Sequence, residues 1–143
     1  MNGHKQFYRL SLLILFLNIA VNANAQADKT LYQGAFEADS YFTTFEGSWK
    51  IVQNDEQLYV VLGNDFKAKK APDLQIFLSK LVLDDINGKN AASKGAPLLV
   101  AKLDTFKGNA RYKIPGNPDL SLYRSIIIHC VEYSKLWGGA NLK

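Results

Sequence analysis

Residues 47–62 have the sequence GSWKIVQNDEQLYVVL. Apolar and polar side chains alternate on both sides of the central Asn54-Asp55 pair, and a period of two is that of a half-buried β-strand. Asn and Asp between two such runs are typical of a turn, because their side chains hydrogen-bond the nearby backbone. The stretch therefore predicts two strands joined by a turn.

Four more runs of this kind follow, and they are rich in the β-branched and aromatic residues that suit a pleated sheet. They are residues 74–78, 98–103, 110–114 and 123–130. Short strands separated by frequent turn residues predict an all-β fold, either an antiparallel β-sandwich or a partly closed barrel of about 7–9 short strands. Residues 84–97 form the longest predicted loop, an insertion with a weak helical stretch at 89–94.

The composition is that of a globular domain. Of the 143 residues, 48% are hydrophobic and 21% are charged, which is too apolar for a disordered chain. The length predicts one domain. Without Lys5 and Arg9, which lie in the leader described next, 15 basic and 13 acidic residues remain, a net charge of +2. With so low a charge and no basic stripe, we expect no binding to nucleic acid.

The start of the chain has the order of a secretory signal peptide. Lys5 and Arg9 precede the apolar run 10–21, and Ala23-Asn24-Ala25 follows with small residues at an A-x-A spacing. A retained membrane anchor is the alternative, but a spanning helix needs about 20 apolar residues. The apolar run is shorter than that and contains Asn18.

We expect cleavage after Ala25, with Ala27 as the alternative, and hence a secreted or periplasmic protein with no membrane span. The predicted organisation is a signal peptide at 1–25, an N-terminal lead-in at 26–33 and a β domain at 34–143.

After that cleavage the chain holds one cysteine, Cys130, and one histidine, His129. A blue-copper centre needs two His and one Cys, and a structural zinc site needs four Cys or His ligands. The pair does not form the C-x-x-C-H motif of covalent haem, and the chain has no G-x-S-x-G nucleophile motif. The sequence thus predicts no metal site and favours a module without catalytic turnover.

His129 and Cys130 are neighbours on a predicted strand, so their side chains are expected to point to opposite faces. They are therefore not expected to form a thiolate–imidazolium pair or to bind one iron together. Cys130 follows three isoleucines, a position typical of a buried, inert thiol. A reactive thiol would need a cation brought beside it by the fold.

Three lesser features have a structural interpretation and a functional one. Residues 84–88 (DDING) fit an Asn-Gly turn better than a calcium loop, since the EF-hand spacing fails. Lys67, Lys69 and Lys70 are interpreted as a solvated loop, with a weak anion-binding patch as the alternative. The aromatic residues are interpreted as core, with a stacking platform for sugars or planar ligands as the alternative. They are Trp49, Tyr59, Phe77, Tyr112, Tyr123 and Trp137.

Several segments of the chain resemble a known family in order. Residues 108–115 (GNARYKIP) are similar to its "G-x-x-x-Y-x-I-P" segment, and residues 71–79 (APDLQIFLS) to its "A-P-D-L-x-V-Y-L-S" block. Residues 128–134 (IHCVEYS) and 139–142 (GANL) resemble its "I-W-C-x-x-F-S … G-x-A-x-L" ending. This is the DM-thirteen family, an extracellular module often described as an electron-transfer domain.

The resemblance implies a β-sandwich-like fold and a redox or electron-transfer accessory role. It singles out Cys130 as the redox candidate, either as a free thiol or as an axial ligand of a non-covalent haem, and His129 is the other candidate ligand. His129 lies where the family usually has an aromatic residue. A lone module of this kind implies a redox partner protein or a small ligand. A non-enzymatic binding or adhesion module with a structural cysteine is the alternative.

Overall fold

The computed structural model describes residues 26–41 and 43–143, and the predicted leader lies outside the described residues. The fold is all-β and antiparallel, as predicted. Five of the six predicted runs form β4 (Ser48–Asn54), β5 (Gln57–Leu62), β7 (Leu74–Ser79), β8 (Leu98–Lys102) and β9 (Ala110–Lys113). The isoleucine run forms β10 (Ser125–Cys130).

Five strands were not predicted as such. Two are long, β1 (Lys29–Ala35) and β11 (Lys135–Asn141), and three have two residues each, β2 (Glu37–Ala38), β3 (Phe45–Glu46) and β6 (Lys67–Ala68). The described residues thus form eleven strands where about seven to nine were expected. β1 begins inside the predicted lead-in and pairs with β4.

The strands form two main sheets. One has the order β1-β4-β5-β9 and the other β2-β11-β10-β7-β8, while β3 and β6 make a small ribbon. The alternating residues of both sheets meet in one core, which contains Ile51 and Val60 from the first sheet and Ile76 and Ile128 from the second. This is a β-sandwich, in which each sheet buries one apolar face against the other.

The insertion between β7 and β8 covers the outer face of the second sheet. Ile86 and Ala91 of the insertion pack with Phe77 and Ile127 in a second, smaller core. Because β10 is covered on both faces, all six of its residues are buried, which explains why its sequence is a continuous apolar run.

The helical stretch expected at 89–94 is a series of turns, with Ala91 N–H donating to the Asn87 carbonyl at 3.0 Å. Short 3-10 turns occur instead at Leu83–Asp85 and Leu120–Leu122. The insertion is too short and too rich in Asn, Gly and Ser to form a stable helix.

Candidate functional site

Cys130 is the last residue of β10, in the middle of the second sheet. It lies between Leu74 of β7 and Lys135 of β11 in the sheet register. Its side chain is completely buried and belongs to the main core, with Leu74 and Ile128. The turn that follows is exposed, and Val131 and Tyr133 are 36% and 63% accessible. The thiol is therefore closed off from solvent, one residue from the surface.

His129 packs on the other face of the same sheet. Its ring centroid lies 6.5 Å from that of Phe77, edge to face, and the side chain is 2% exposed. Burial lowers the pKa of His129 below its usual value, although a hydrogen bond with the Lys135 backbone raises it in part. Nδ1 has no hydrogen-bond partner within the described residues, so the neutral ring leaves one polar atom unsatisfied.

The structure separates the two residues as the alternation requires. A register shift does occur between β10 and β11 after Ile128, but β10 stays in continuous register with β7 through Cys130. The extra residue, Trp137, is thus on β11. Because β10 itself is regular, Cys130 and His129 keep opposite faces, and neither can assist the other in one reaction.

The sequence of the chain matches a protein-family model. The family model described as "Electron transfer DM13" matches residues 35–142. The chain belongs to the DM13 family. At family level this makes it a redox-related module. No match was found among curated proteins or among solved structures.

In this DM13 module the segments that carry the family resemblance build the core. Residues 71–79 contain β7, which pairs with β10 next to Cys130, and residues 128–134 contain the end of β10 with Cys130 itself. Tyr112 of the "G-x-x-x-Y-x-I-P" segment is buried in β9, and its hydroxyl donates to Asp104 at 2.7 Å. Burial and that carboxylate raise the pKa of Tyr112. The motif is therefore a set of packing positions around the cysteine.

A haem does not fit either candidate ligand. Cys130 is 0% exposed and His129 is 2% exposed, and the surface hollows of the described residues are lined by other side chains. A porphyrin needs an open, largely preformed pocket beside its axial ligand. The packed neighbours Leu74 and Phe77 occupy that space in this fold.

A hollow of about 530 Å³ lies on the surface, and neither Cys130 nor His129 lines it. The 3-10 turn Leu120–Leu122 supplies one wall, and Leu31 and Tyr32 of β1 supply another. This hollow could not be expected from the sequence pattern, because β1 was not predicted. None of the residues of β10, Cys130 included, lines this hollow.

The predicted aromatic candidates are mostly core. Trp49, Phe77, Tyr112 and Trp137 are buried. Tyr59 is half-buried and its ring is covered by the Arg111 guanidinium, 3.9 Å from the centroid. These rings do not form one exposed stacking platform.

The Asp-rich stretch of the insertion folds into consecutive turns. Asp84 and Asp85 lie in the 3-10 turn, and Asn87 Oδ1 accepts from the Lys89 backbone at 2.9 Å. Among residues 26–41 and 43–143, no group of three or more His, Cys, Asp or Glu side chains is placed to hold a metal ion. In the same residues no helix has the length and apolarity to cross a membrane.

Proposed function

We propose that this protein is an exported electron-transfer accessory module whose redox-active group is the Cys130 thiol. Membership of the DM13 family supports the redox role. Cys130 is the one cysteine of the sequence, and it lies inside the segment that resembles the family's ending. The leader pattern at 1–25 supports export to a secreted or periplasmic location.

The single observation that carries the proposal is the position of Cys130 at a strand end. It closes β10, and the exposed turn from Val131 to Ser134 begins at the next residue. Strand ends open at a lower free energy than the centre of a sheet. Opening of this turn would expose the sulfur, while the closed fold protects it from irreversible oxidation in an oxidising compartment.

A lone thiol determines the type of reaction. The chain cannot form an internal disulfide, so the second sulfur comes from a partner protein. The Cys130 thiolate attacks one sulfur of a partner disulfide, a mixed disulfide forms, and the other partner sulfur leaves as a thiolate. A donor dithiol then attacks the Cys130 sulfur of the mixed disulfide, which releases the partner as a dithiol and joins the donor to Cys130. The second thiol of the donor attacks its own sulfur in this new mixed disulfide, forms the donor disulfide and releases Cys130 as a thiolate. Each cycle moves two electrons from the donor dithiol to the partner disulfide, and no step involves haem.

The test is disulfide exchange by the folded protein. The wild type and Cys130→Ala are incubated with glutathione disulfide, with and without 6 M urea, and each adduct is followed by mass spectrometry. We expect an adduct on the folded wild type and none on Cys130→Ala. An adduct that forms only in urea would contradict the thiol function. Sequencing the N-terminus of the exported protein tests the leader, and a retained Met1 would contradict its cleavage as a signal peptide.

The complete burial of Cys130 favours a second candidate function, a non-enzymatic binding module in which the cysteine is structural. The hollow of about 530 Å³ beside Tyr32 and Leu120 would then be the contact site for a glycan or a partner protein. A ligand found for this hollow should bind Cys130→Ala as well as the wild type. Loss of that binding in Tyr32→Ala would support the second function.

A further inference from the structure

Four exposed lysines lie on segments that meet at two aromatic rings, close to the Cys130 end of the second sheet. We call this set the lysine–aromatic band, and its members are Lys69, Lys70, Lys107, Lys135, Phe106 and Trp137. The sequence pattern indicated only Lys69 and Lys70, together with Lys67, because the other members are distant in the chain.

Trp137 contacts two of the lysine residues, one through its ring and one through its indole N–H. Lys135 Nζ lies 5.3 Å from the centroid of its ring, and the indole Nε1 donates to the Lys69 carbonyl at 3.2 Å. The ring is 6% exposed, so it is a fixed platform under the Lys135 ammonium. A cation held over an aromatic face loses less freedom on binding a partner.

Phe106 joins the other two. Lys70 Nζ lies 5.6 Å from its ring centroid, and the Phe106 carbonyl accepts from the Ala68 backbone at 2.9 Å. The next residue, Lys107, faces Lys67 across an antiparallel bridge. Directly opposed side chains of such a bridge share a face, so two like charges are placed side by side.

The positive charge of the band is not neutralised within the fold. Lys67 pairs with Glu46 at 3.0 Å. Across the described residues, the ion pairs join other side chains and leave all four lysines of the band without a carboxylate. Four unpaired positive charges in one band attract an anionic surface over long range and repel one another until it binds.

We propose that the lysine–aromatic band docks an acidic surface of the partner protein that exchanges electrons with Cys130. The band begins beside the thiol, because Lys135 is the register neighbour of Cys130 across β10 and β11. This inference rests on the proposed function for the identity of the partner. The lysines lie along an exposed band and do not converge on one enclosed cavity, which fits a macromolecular surface better than a small anion.

The test measures binding without any redox readout. The full chain is expressed as Cys130→Ala, purified, and titrated with poly-L-glutamate by calorimetry at low salt and at 0.3 M salt. A band variant replaces the four lysines of the band by Gln. A matched control variant replaces four exposed lysines elsewhere, Lys29, Lys50, Lys94 and Lys113, so that both variants lose the same net charge.

We expect the band variant to bind poly-L-glutamate roughly tenfold more weakly, and the control variant to stay within about threefold. Equal losses in both variants would overturn the proposal, since net charge alone would explain them. Binding of heparin without binding of poly-L-glutamate would overturn it too, because the occupant would be a sulfated glycan. Circular dichroism checks that both variants are folded.

The thiol is assayed separately, by glutathione exchange in the wild-type chain, which keeps Cys130 and all four lysines of the band. If the band variant loses poly-L-glutamate binding while Cys130 of the wild type does not exchange with glutathione, the docking surface stands and only the proposed function is overturned. Thiol exchange in the wild type, together with equal binding of poly-L-glutamate by both lysine variants, would keep the proposed function and overturn the docking surface.

Discussion

Labelling of Cys130 by a thiol reagent should be slow in the folded protein, and a strained turn should accelerate it. The perturbation is Ser134→Val. Ser134 closes the turn after Cys130 with a φ of 48°, in the left-handed region, which a β-branched residue tolerates poorly. Asp55→Val is the matched control, because Asp55 has a φ of 52° in the β4–β5 turn.

The magnitude follows from the burial of Cys130, which is 0% exposed. If the thiol reacts only after global unfolding, which costs at least about 5 kcal/mol, labelling is several thousand-fold slower than for a free peptide thiol, at 1.4 kcal/mol per tenfold. If the turn opens locally, labelling of Cys130 is slowed less than under global unfolding. Strain of about 1 kcal/mol in the closed turn raises the opening constant roughly fivefold.

The assay is the labelling rate at low denaturant, alongside the free energy of unfolding of each variant from urea titration. We expect Ser134→Val to label about fivefold faster than the wild type, and Asp55→Val to label at the wild-type rate. Equal acceleration by the two variants would show that only global unfolding exposes Cys130. That result would refute the local opening on which the thiol function depends.

Three further predictions concern the core around this strand. The wild type should lose stability relative to His129→Phe as the pH falls below about 6.5, by at most about 1.4 kcal/mol per pH unit, because the pKa of His129 is lowered in the folded state and only the unfolded state takes up the proton. If urea titration gives the same difference in free energy of unfolding between the two proteins at pH 5 and at pH 7.5, this prediction is contradicted. Gly138→Ala should lower the free energy of unfolding by about 2 kcal/mol or more, since its Cβ would overlap the Glu37 carbonyl oxygen and its φ of 152° disfavours a side chain. Gly116→Ala, with open space around it, should cost about 1 kcal/mol, and equal costs would show that the close approach is unimportant. Cys130→Ser should be less stable than Cys130→Ala by about 1–3 kcal/mol, because a hydroxyl would be buried without a partner; equal urea midpoints would mean that the sulfur is not packed in the core.

The sequence by itself determined the fold class and the faces of β10. Alternation in residues 47–62 and 74–78 is a local property of a strand with one buried face, so β4, β5 and β7 could be located from it. The same periodicity placed His129 and Cys130 on opposite faces, since it depends only on the pleat of one strand. The family resemblance was likewise available, because it rests on residues in order along the chain.

Only the tertiary structure decided how those strands were covered and what lay beside them. β1 and β11 escaped prediction because Gly34 in one and Gly138-Gly139 in the other interrupt the pattern. The isoleucine run already indicated a buried Cys130, but the hollow beside Tyr32 and the meeting of distant lysines at Trp137 depend on contacts between segments far apart in the chain. Such contacts arise from sheet pairing and packing, which a local pattern does not encode.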